Sequence, residues 1–466
     1  MRKFFLNVTI FCVIALMAVA QSCSGRSGST SEQADSLEVR ALPDTLRVGT
    51  LYSPTSYFMF RDTEMGYDYD LVSRLAADKG MVLKLEIAPS LGAVVEMLDS
   101  GKIDLIAYEV PVTAQYRGHV LPCGVESITH QVLVQPKKSG EERITDVTQL
   151  VGKEVYVEEN SKYHQRLMNL DNELGGGIVI KPIDRDTLIA EDLIAMVSDG
   201  EIPLTVVDSD IARINKTYYT DIDVSTEISF PQRAAWGVSP SKPWLADSIN
   251  AWSAQESPRR ERASLLRRYY ELSKNEPTLY TINFAGGKMS PFDALFRRYA
   301  RSIGWDWRLL ASQGYAESRF DSTRVSWAGA RGVMQIMPAT ARAQGLPADS
   351  ITHNASNIAT AVKVIASLDR SLSRYVSDRE ERKKFVIAAY NSGLAHVIDA
   401  IKLAGRLGVD STRWDGCVAQ TLLLKSNPEY YNNPVVKYGY FRGRQTTEYV
   451  KTVYLCYDKA KKQIPR

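Results

Sequence analysis

Residues 45–108 carry the runs TLRVGT (45–50), YDYDLVSRLAADKG (67–80), MVLKLEIA (81–88), LGAVVEMLDSGK (91–102) and IDLIAY (103–108). Short β-branched runs alternate here with segments whose apolar residues recur three and four positions apart, which predicts strand, helix, strand, helix, strand. The order recurs in KEVYVEEN (153–160), SKYHQRLMNL (161–170), GIVIKPI (177–183), DTLIAEDLIAMVSDG (186–200) and IPLTVVDS (202–209). Two successive lobes of like topology are therefore expected, with a ligand cleft between them. RAAWGVS (233–239) should add a strand, and helical WLADSINAWSAQ (244–255) and RERASLLRRYYELS (260–273) should close this domain near residue 275.

From Pro291 onward the strand pattern disappears. Amphipathic helical segments take over: FDALFRRYARSIG (292–304), DWRLLASQGYAES (306–318), IATAVKVIASLDRSLSRY (358–375), ERKKFVIAAYN (381–391) and TEYVKTVYLCYDKAKK (447–462). The fold class is thus α/β, two-lobed, followed by a separate all-α domain.

At the other end, Met1-Arg2-Lys3 precedes an apolar run from Phe4 to Ala20, the charged and hydrophobic regions of an export signal. Ala20-Gln21-Ser22-Cys23 resembles a bacterial lipoprotein cleavage site, where the cysteine thiol takes up diacylglycerol; Ala20 stands where Leu is usual. An uncleaved signal-anchor helix, or a soluble exported protein with an incidental cysteine, is the alternative. Residues 24–43 are rich in Ser, Gly, Glu and Asp and cannot bury a core. The expected division is 1–22 leader, 23–43 tether, 44–275 two-lobed domain, 276–290 linker and 291–466 helical domain. A chain lipidated at Cys23 belongs in the cell envelope, and Ser24 after it favours the outer membrane, facing the periplasm.

The chain's 466 residues, 44% hydrophobic and 24% charged, suffice for two or three compact domains. Lys plus Arg number 57 against 54 Asp plus Glu, a balance that gives no long-range attraction to polyanions and makes nucleic acid a poor partner. The five histidines show no paired ligand spacing, so a metal site is not expected. Cys123, Cys417 and Cys456 are too few for a disulfide scaffold. Whether Cys417 and Cys456 pair stays open.

Trp307, Leu310, Gly314 and Glu317 follow helical spacing, which puts Glu317 on the apolar face near a helix end. Burial favours the protonated form of a carboxyl group, and a protonated carboxyl is what a glycosidic general acid requires. Around it stand Glu317-Ser318, the run SWAGARGVMQIMP (326–338), AAYNSG (388–393) and Tyr449-Val450. In order and spacing these four motifs resemble the soluble-lytic-transglycosylase family, whose catalytic domain has a goose-type-lysozyme-like fold. The resemblance implies non-hydrolytic cleavage of the β-1,4 bond between N-acetylmuramic acid and N-acetylglucosamine in peptidoglycan strands, with Glu317 as acid and base and with no metal or organic cofactor. It also implies that Ser326 and Tyr390 hold the muramyl residue, with Met334, Gln335 and Asn391 as further cleft contacts. Asp321, four residues on, reads as a turn residue rather than a nucleophile.

In the first domain, GYDYDL (66–71) and GKID (101–104) resemble the type 3 family of periplasmic solute-binding proteins. That resemblance implies that Thr113 and Arg117 take a ligand carboxylate, a guanidinium fork matching it bidentately, and that Asp208 takes a ligand amine. An amino-acid-like or muropeptide ligand follows, with ligand control of the helical domain as the expected purpose of the fusion. The pairing of the two domains resembles a membrane-bound transglycosylase subfamily, although Ala316 stands where that subfamily has Gln. Two alternatives remain at this point: an envelope lipoprotein that binds glycan without cutting it, and a lysozyme-like hydrolase.

Overall fold

The computed structural model describes residues 42–465, apart from 115, 138–142, 160, 184–189, 273–283 and 285–286. The leader, Cys23, nearly all of the tether and most of the 276–290 linker lie outside the described residues.

Lobe 1 begins with β1 (Thr45–Leu51), the hairpin β2 (Phe58–Phe60) and β3 (Thr63–Met65), and α1 (Tyr67–Asp78). β4 (Val82–Ala88), α2 (Leu91–Asp99), β5 (Leu105–Pro111) and β6 (Leu121–Thr129) follow. Lobe 2 contains β7 (Gln131–Pro136), β8 (Glu154–Glu158), α3 (Lys162–Leu174), β9 (Val179–Ile183), α4 (Ala190–Asp199), β10 (Thr205–Asp208), α5 (Ser209–Lys216) and β11 (Ile222–Glu227). The chain then returns to lobe 1 through β12 (Gln232–Val238), α6 (Pro243–Ser253) and α7 (Glu256–Leu266).

Both sheets are mixed, with strand orders β4-β1-β5-β12-β6 and β11-β7-β10-β8-β9. The lobes are therefore not strictly consecutive: the strand expected at 233–239 lies between β5 and β6 of the first sheet. Its antiparallel pairing brings Gln232 beside Thr129 where both strands leave lobe 1, so the lobes are joined by two adjacent crossings. The β-branched runs become strands because they are covered on both sides; in β7, Val132, Leu133 and Val134 are all buried.

The helical domain consists of α8 (Asp293–Ala300), α9 (Trp307–Ser318), α10 (Pro338–Ala343), α11 (Asn354–Leu372), α12 (Arg379–Ser392), α13 (Leu394–Arg406), α14 (Ala419–Leu424), α15 (Pro428–Tyr431) and α16 (Gly443–Gln463). Asp306 caps α9 by accepting from the Arg308 amide, and Arg319 ends it in the left-handed region. Eleven of its twelve residues are buried, so α9 is the axis of the domain rather than a surface helix, with α8 and α16 packed against it.

The two domains share apolar packing. Ala328, Ala330 and Met337, from the loop after α9, belong to the same buried cluster as Leu71, Tyr269 and Trp236 of lobe 1. The Phe60 ring of the hairpin lies 5.4 Å from that of Trp327. Among the described residues, no helix is long and apolar enough to cross a membrane.

Candidate active site

Glu317 ends the buried axis helix with 3% of its surface exposed. The loop from Arg319 to Met337 folds back over it, and buried Asn357 on α11 holds that loop in place. Its Oδ1 accepts the Met334 amide at 2.7 Å, and its Nδ2 donates to the Arg331 and Ile351 carbonyls at 3.0 and 2.7 Å. A Cβ on Gly332 would meet that amide nitrogen at 2.6 Å, so this turn admits only glycine.

Tyr449 on α16 donates its hydroxyl to Glu317 Oε1 at 2.6 Å. Tyr390 on α12 donates to the Met334 carbonyl at 2.8 Å, which fixes its ring beside the acid. Burial first, and the Glu317 charge second, hold both phenols well above their usual pKa. Tyr449 is therefore a permanent donor to the carboxylate.

A further donor comes from a distant part of the chain. Arg61, at the tip of the β2–β3 hairpin, reaches Glu317 through Nη2, 2.9 Å from Oε2 and 3.3 Å from Oε1. Its Nη1 donates to the Gln335 carbonyl at 2.8 Å and its Nε to the Asn391 carbonyl at 3.2 Å. The Arg61 amide donates to the Ser392 carbonyl at 3.2 Å. Burial opposes the charge of this guanidinium, but the charge and hydrogen bonds of Glu317, with Tyr449 and Tyr390, together more than offset it and keep Arg61 protonated. Next to it, Asp62 accepts the Leu394 and Ala395 amides at 3.1 and 3.2 Å.

The hairpin borders two hollows near Glu317. On one side lies an open groove of ≈ 810 Å³, lined by Asp62, Gln335, Met337, Tyr390 and Gly393 among others. On the other side a cavity of ≈ 600 Å³ contains Asn391, Thr446, Trp327, Phe441 and Tyr218. Arg61 lines the groove, and its guanidinium reaches Glu317.

Of the residues expected from sequence, Met334, Gln335, Tyr390 and Asn391 are gathered with Glu317 about this point. Several of them serve the architecture. The Met334 side chain is fully buried, the Gln335 amide donates to the Arg324 and Gly332 carbonyls at 3.1 and 2.9 Å, and Asn391 Oδ1 accepts from Thr446 at 2.7 Å. Ser326 closes its own turn by accepting the Ala330 amide at 3.0 Å. Asp321 is exposed and accepts the Thr323 amide at 2.8 Å, the turn role expected for it. Cys123, Cys417 and Cys456 are free thiols.

The interlobe cleft presents a second group of carboxylates. Asp208 accepts from Lys162 Nζ and, at 3.2 Å, from the Tyr163 hydroxyl. Facing it electrostatically are Glu109 and Asp210, each raised to about 7, by burial first and by neighbouring carboxylates second. Asp68 is raised to about 6 by burial, against the 2.8 Å hydrogen bond it accepts from Trp236 Nε1. Asp210 Oδ1 is buried without a partner. Thr113 and Arg117 are exposed and line a different hollow, of ≈ 560 Å³, to which only lobe 1 contributes. The structure thus does not bring Arg117 and Asp208 into one site.

Residues 294–411 match the Transglycosylase SLT domain family, and residues 46–272 match the bacterial extracellular solute-binding proteins, family 3. Across both domains the chain is 30% identical over 424 residues to a membrane-bound lytic murein transglycosylase F of Pseudomonas fluorescens, covering 89% of this chain and 84% of that one. The chain belongs to the membrane-bound lytic murein transglycosylase F family. It is accordingly a lytic murein transglycosylase, a lyase acting on peptidoglycan. A family member from Stutzerimonas stutzeri is 30% identical over 460 residues, 96% of this chain and 90% of its own. The lobed half is also similar to an L-cystine solute receptor of Neisseria gonorrhoeae, at 15% identity over 50% of this chain and 94% of that one, TM-score 0.41.

Sequence reasoning passed over Arg61 and Asp62, gave Tyr449 a motif but no role, and did not single out Asn357. The run FMFRDTEM (58–65) carried a signal in its alternation about two polar residues, but nothing in it pointed across 256 residues to Glu317.

Proposed function

We propose that the chain cleaves peptidoglycan with Glu317 as both acid and base, and that the β2–β3 hairpin holds it inactive until the two-lobed domain takes its ligand. Glu317 protonates the glycosidic oxygen between the muramyl residue and N-acetylglucosamine. The resulting carboxylate then takes the proton of the muramyl C6 hydroxyl, which attacks C1 and closes a 1,6-anhydro ring. One carboxylate suffices for this route, and a two-carboxylate hydrolysis has no suitable partner in the exposed, turn-bound Asp321. Tyr449 holds Oε1, leaving Oε2 to face the substrate once Arg61 has withdrawn. Tyr390 and the carbonyls of Gln335 and Asn391 line the place the muramyl ring would take.

A single observation carries the regulatory half: Arg61 forms an ion pair with the acid that must give and receive the proton. The hairpin and the interlobe cleft are ends of one segment, since Asp68 of the cleft lies three residues after Met65 of β3. A ligand that moves Asp68 therefore pulls on the base of the hairpin. The regulatory ligand is amino-acid-like or peptide-like, its amine facing the Asp208 group. Attachment to the outer membrane through a lipid on Cys23, facing the periplasm, completes the proposal; Cys23→Ser should shift the protein to the soluble fraction.

The deciding experiment is mass spectrometry of peptidoglycan digested by the chain and by its Glu317→Gln and Arg61→Ala variants. Anhydromuramyl ends are expected from the chain, more of them from Arg61→Ala, and none from Glu317→Gln. Reducing ends would mean a hydrolase, and no products from Arg61→Ala would leave a glycan-binding protein.

A further inference from the structure

The start of α13 meets the hairpin with three hydrogen-bond donors. Leu394 and Ala395 give their amides to the Asp62 carboxylate, and His396 Nε2 lies 3.0 Å from the Met59 carbonyl. His396 is wholly buried and cannot reverse its role. Its Nδ1 accepts from Lys425 Nζ at 2.9 Å, and Lys425 is held in turn by Asp399 at 3.0 Å. An ammonium on one side and a carbonyl on the other leave a single arrangement, with the proton on Nε2 and directed at the hairpin. Gly393 just before the helix has φ +99°, and a Cβ there would come within 2.8 Å of Asp62 Oδ1. The backbone is thus cut away where that carboxylate sits. Asp62 and Gly393 both line the ≈ 810 Å³ groove, one residue along the chain from the arginine on Glu317.

Withdrawal of the hairpin leaves two amides at the positive end of a 13-residue helix and a buried imidazole N–H without partners. Such a group favours an anion. Resting on the hairpin's role as a plug, we propose that the first turn of α13, with His396, is a carboxylate subsite of the catalytic groove. Asp62 fills it in the plugged chain, and a substrate carboxylate fills it in the released enzyme. Two substrate groups share that chemistry: the lactyl carboxylate of a muramyl residue without its peptide, and a carboxylate of the peptide stem.

The test measures kcat/KM of the full chain carrying Arg61→Gly on three strands. One is stripped of peptides and bears free lactyl carboxylates, one is the same strand with those groups converted to methyl amides, and one bears peptides. One of the two charged strands should be turned over about tenfold more efficiently than the amidated one. A preference for the stripped strand assigns the lactyl group, and a preference for the peptide-bearing strand assigns the stem. Leu394→Pro removes one amide at the helical position that best tolerates proline, and it should collapse the preference to within about twofold of unity. Equal rates on all three strands, or a preference untouched by Leu394→Pro, overturns the subsite. Should Leu394→Pro not fold, inhibition of the Arg61→Gly chain decides: N-acetylmuramic acid must compete about tenfold more tightly than N-acetylglucosamine. If Arg61→Gly is no faster than the unaltered chain on any strand, the plug has failed instead, and the charge preference is then read in the unaltered chain.

Discussion

The two clefts of this molecule treat buried carboxylates in opposite ways. In the catalytic cleft one carboxylate has two donors, a guanidinium and a phenol, both within 2.9 Å. In the interlobe cleft Asp68, Glu109, Asp208 and Asp210 face one another with Lys162 as the cation paired to Asp208. Lobe 1 contributes to both: its Asp68 and Glu109 face Asp208 and Asp210 of lobe 2, while its Arg61 reaches into the neighbouring domain. The contrast teaches that the two sites lie on either side of a balance. Glu317 is held by a cation and a phenol, whereas Asp210 Oδ1 in the other cleft is buried without a partner among carboxylates that repel it.

The contrast is most severely strained by Glu317→Gln, which should reduce anhydromuramyl product at least roughly thousandfold while circular dichroism stays unchanged. Activity surviving in that variant would move the chemistry elsewhere. Next in size, Arg61→Ala should raise turnover in the absence of ligand roughly ten- to hundredfold, the worth of a charge-assisted hydrogen-bonded contact; unchanged steady-state rates would make the ion pair incidental. Tyr449→Phe removes the 2.6 Å bond to Glu317 and should lower kcat about tenfold with little change in KM.

The smallest effect belongs to the other cleft. Glu109 and Asp210 are raised to about 7 in the folded chain, so the native state holds protons that the unfolded chain has released. Stability from these groups is therefore greatest below about pH 4.5 and declines as pH rises toward 7. Glu109→Gln should flatten that part of a plot of Tm against pH by a few degrees. A plot unchanged by the substitution would mean that neither burial nor the neighbouring carboxylates raise Glu109.

Much of this was legible in the sequence, because much of it is local. The alternation at 45–108 names strands that are buried on both faces, and the spacing of Trp307, Leu310, Gly314 and Glu317 places the acid on a helix that proves to be buried almost throughout. The interleaving of the lobes was hidden, since β12 finds its sheet by pairing with strands more than a hundred residues away. The hairpin tip was hidden for a different reason. Arg61 and Asp62 adopt φ of 50° and 56°, a turn for which Asn-Gly is the ordinary signature. At such a turn aspartate is tolerated but an arginine is disfavoured by about 1 kcal/mol or more, and tertiary contacts offset that. Glu317, Leu394 and Ala395 supply them, and no rule of local propensity reaches that far.

On the plugging proposed above, the hairpin also raises the density of strands needed for cutting. Being tethered, it competes for the groove at an effective concentration of roughly millimolar, regardless of how dilute the protein is. An untethered inhibitor would be diluted away, whereas this one follows the enzyme everywhere. The apparent KM is then raised by the ratio of that concentration to the hairpin's own dissociation constant. Sparse strands would scarcely be touched, and cutting would rise where wall material is locally dense or where a ligand has lowered the hairpin's grip.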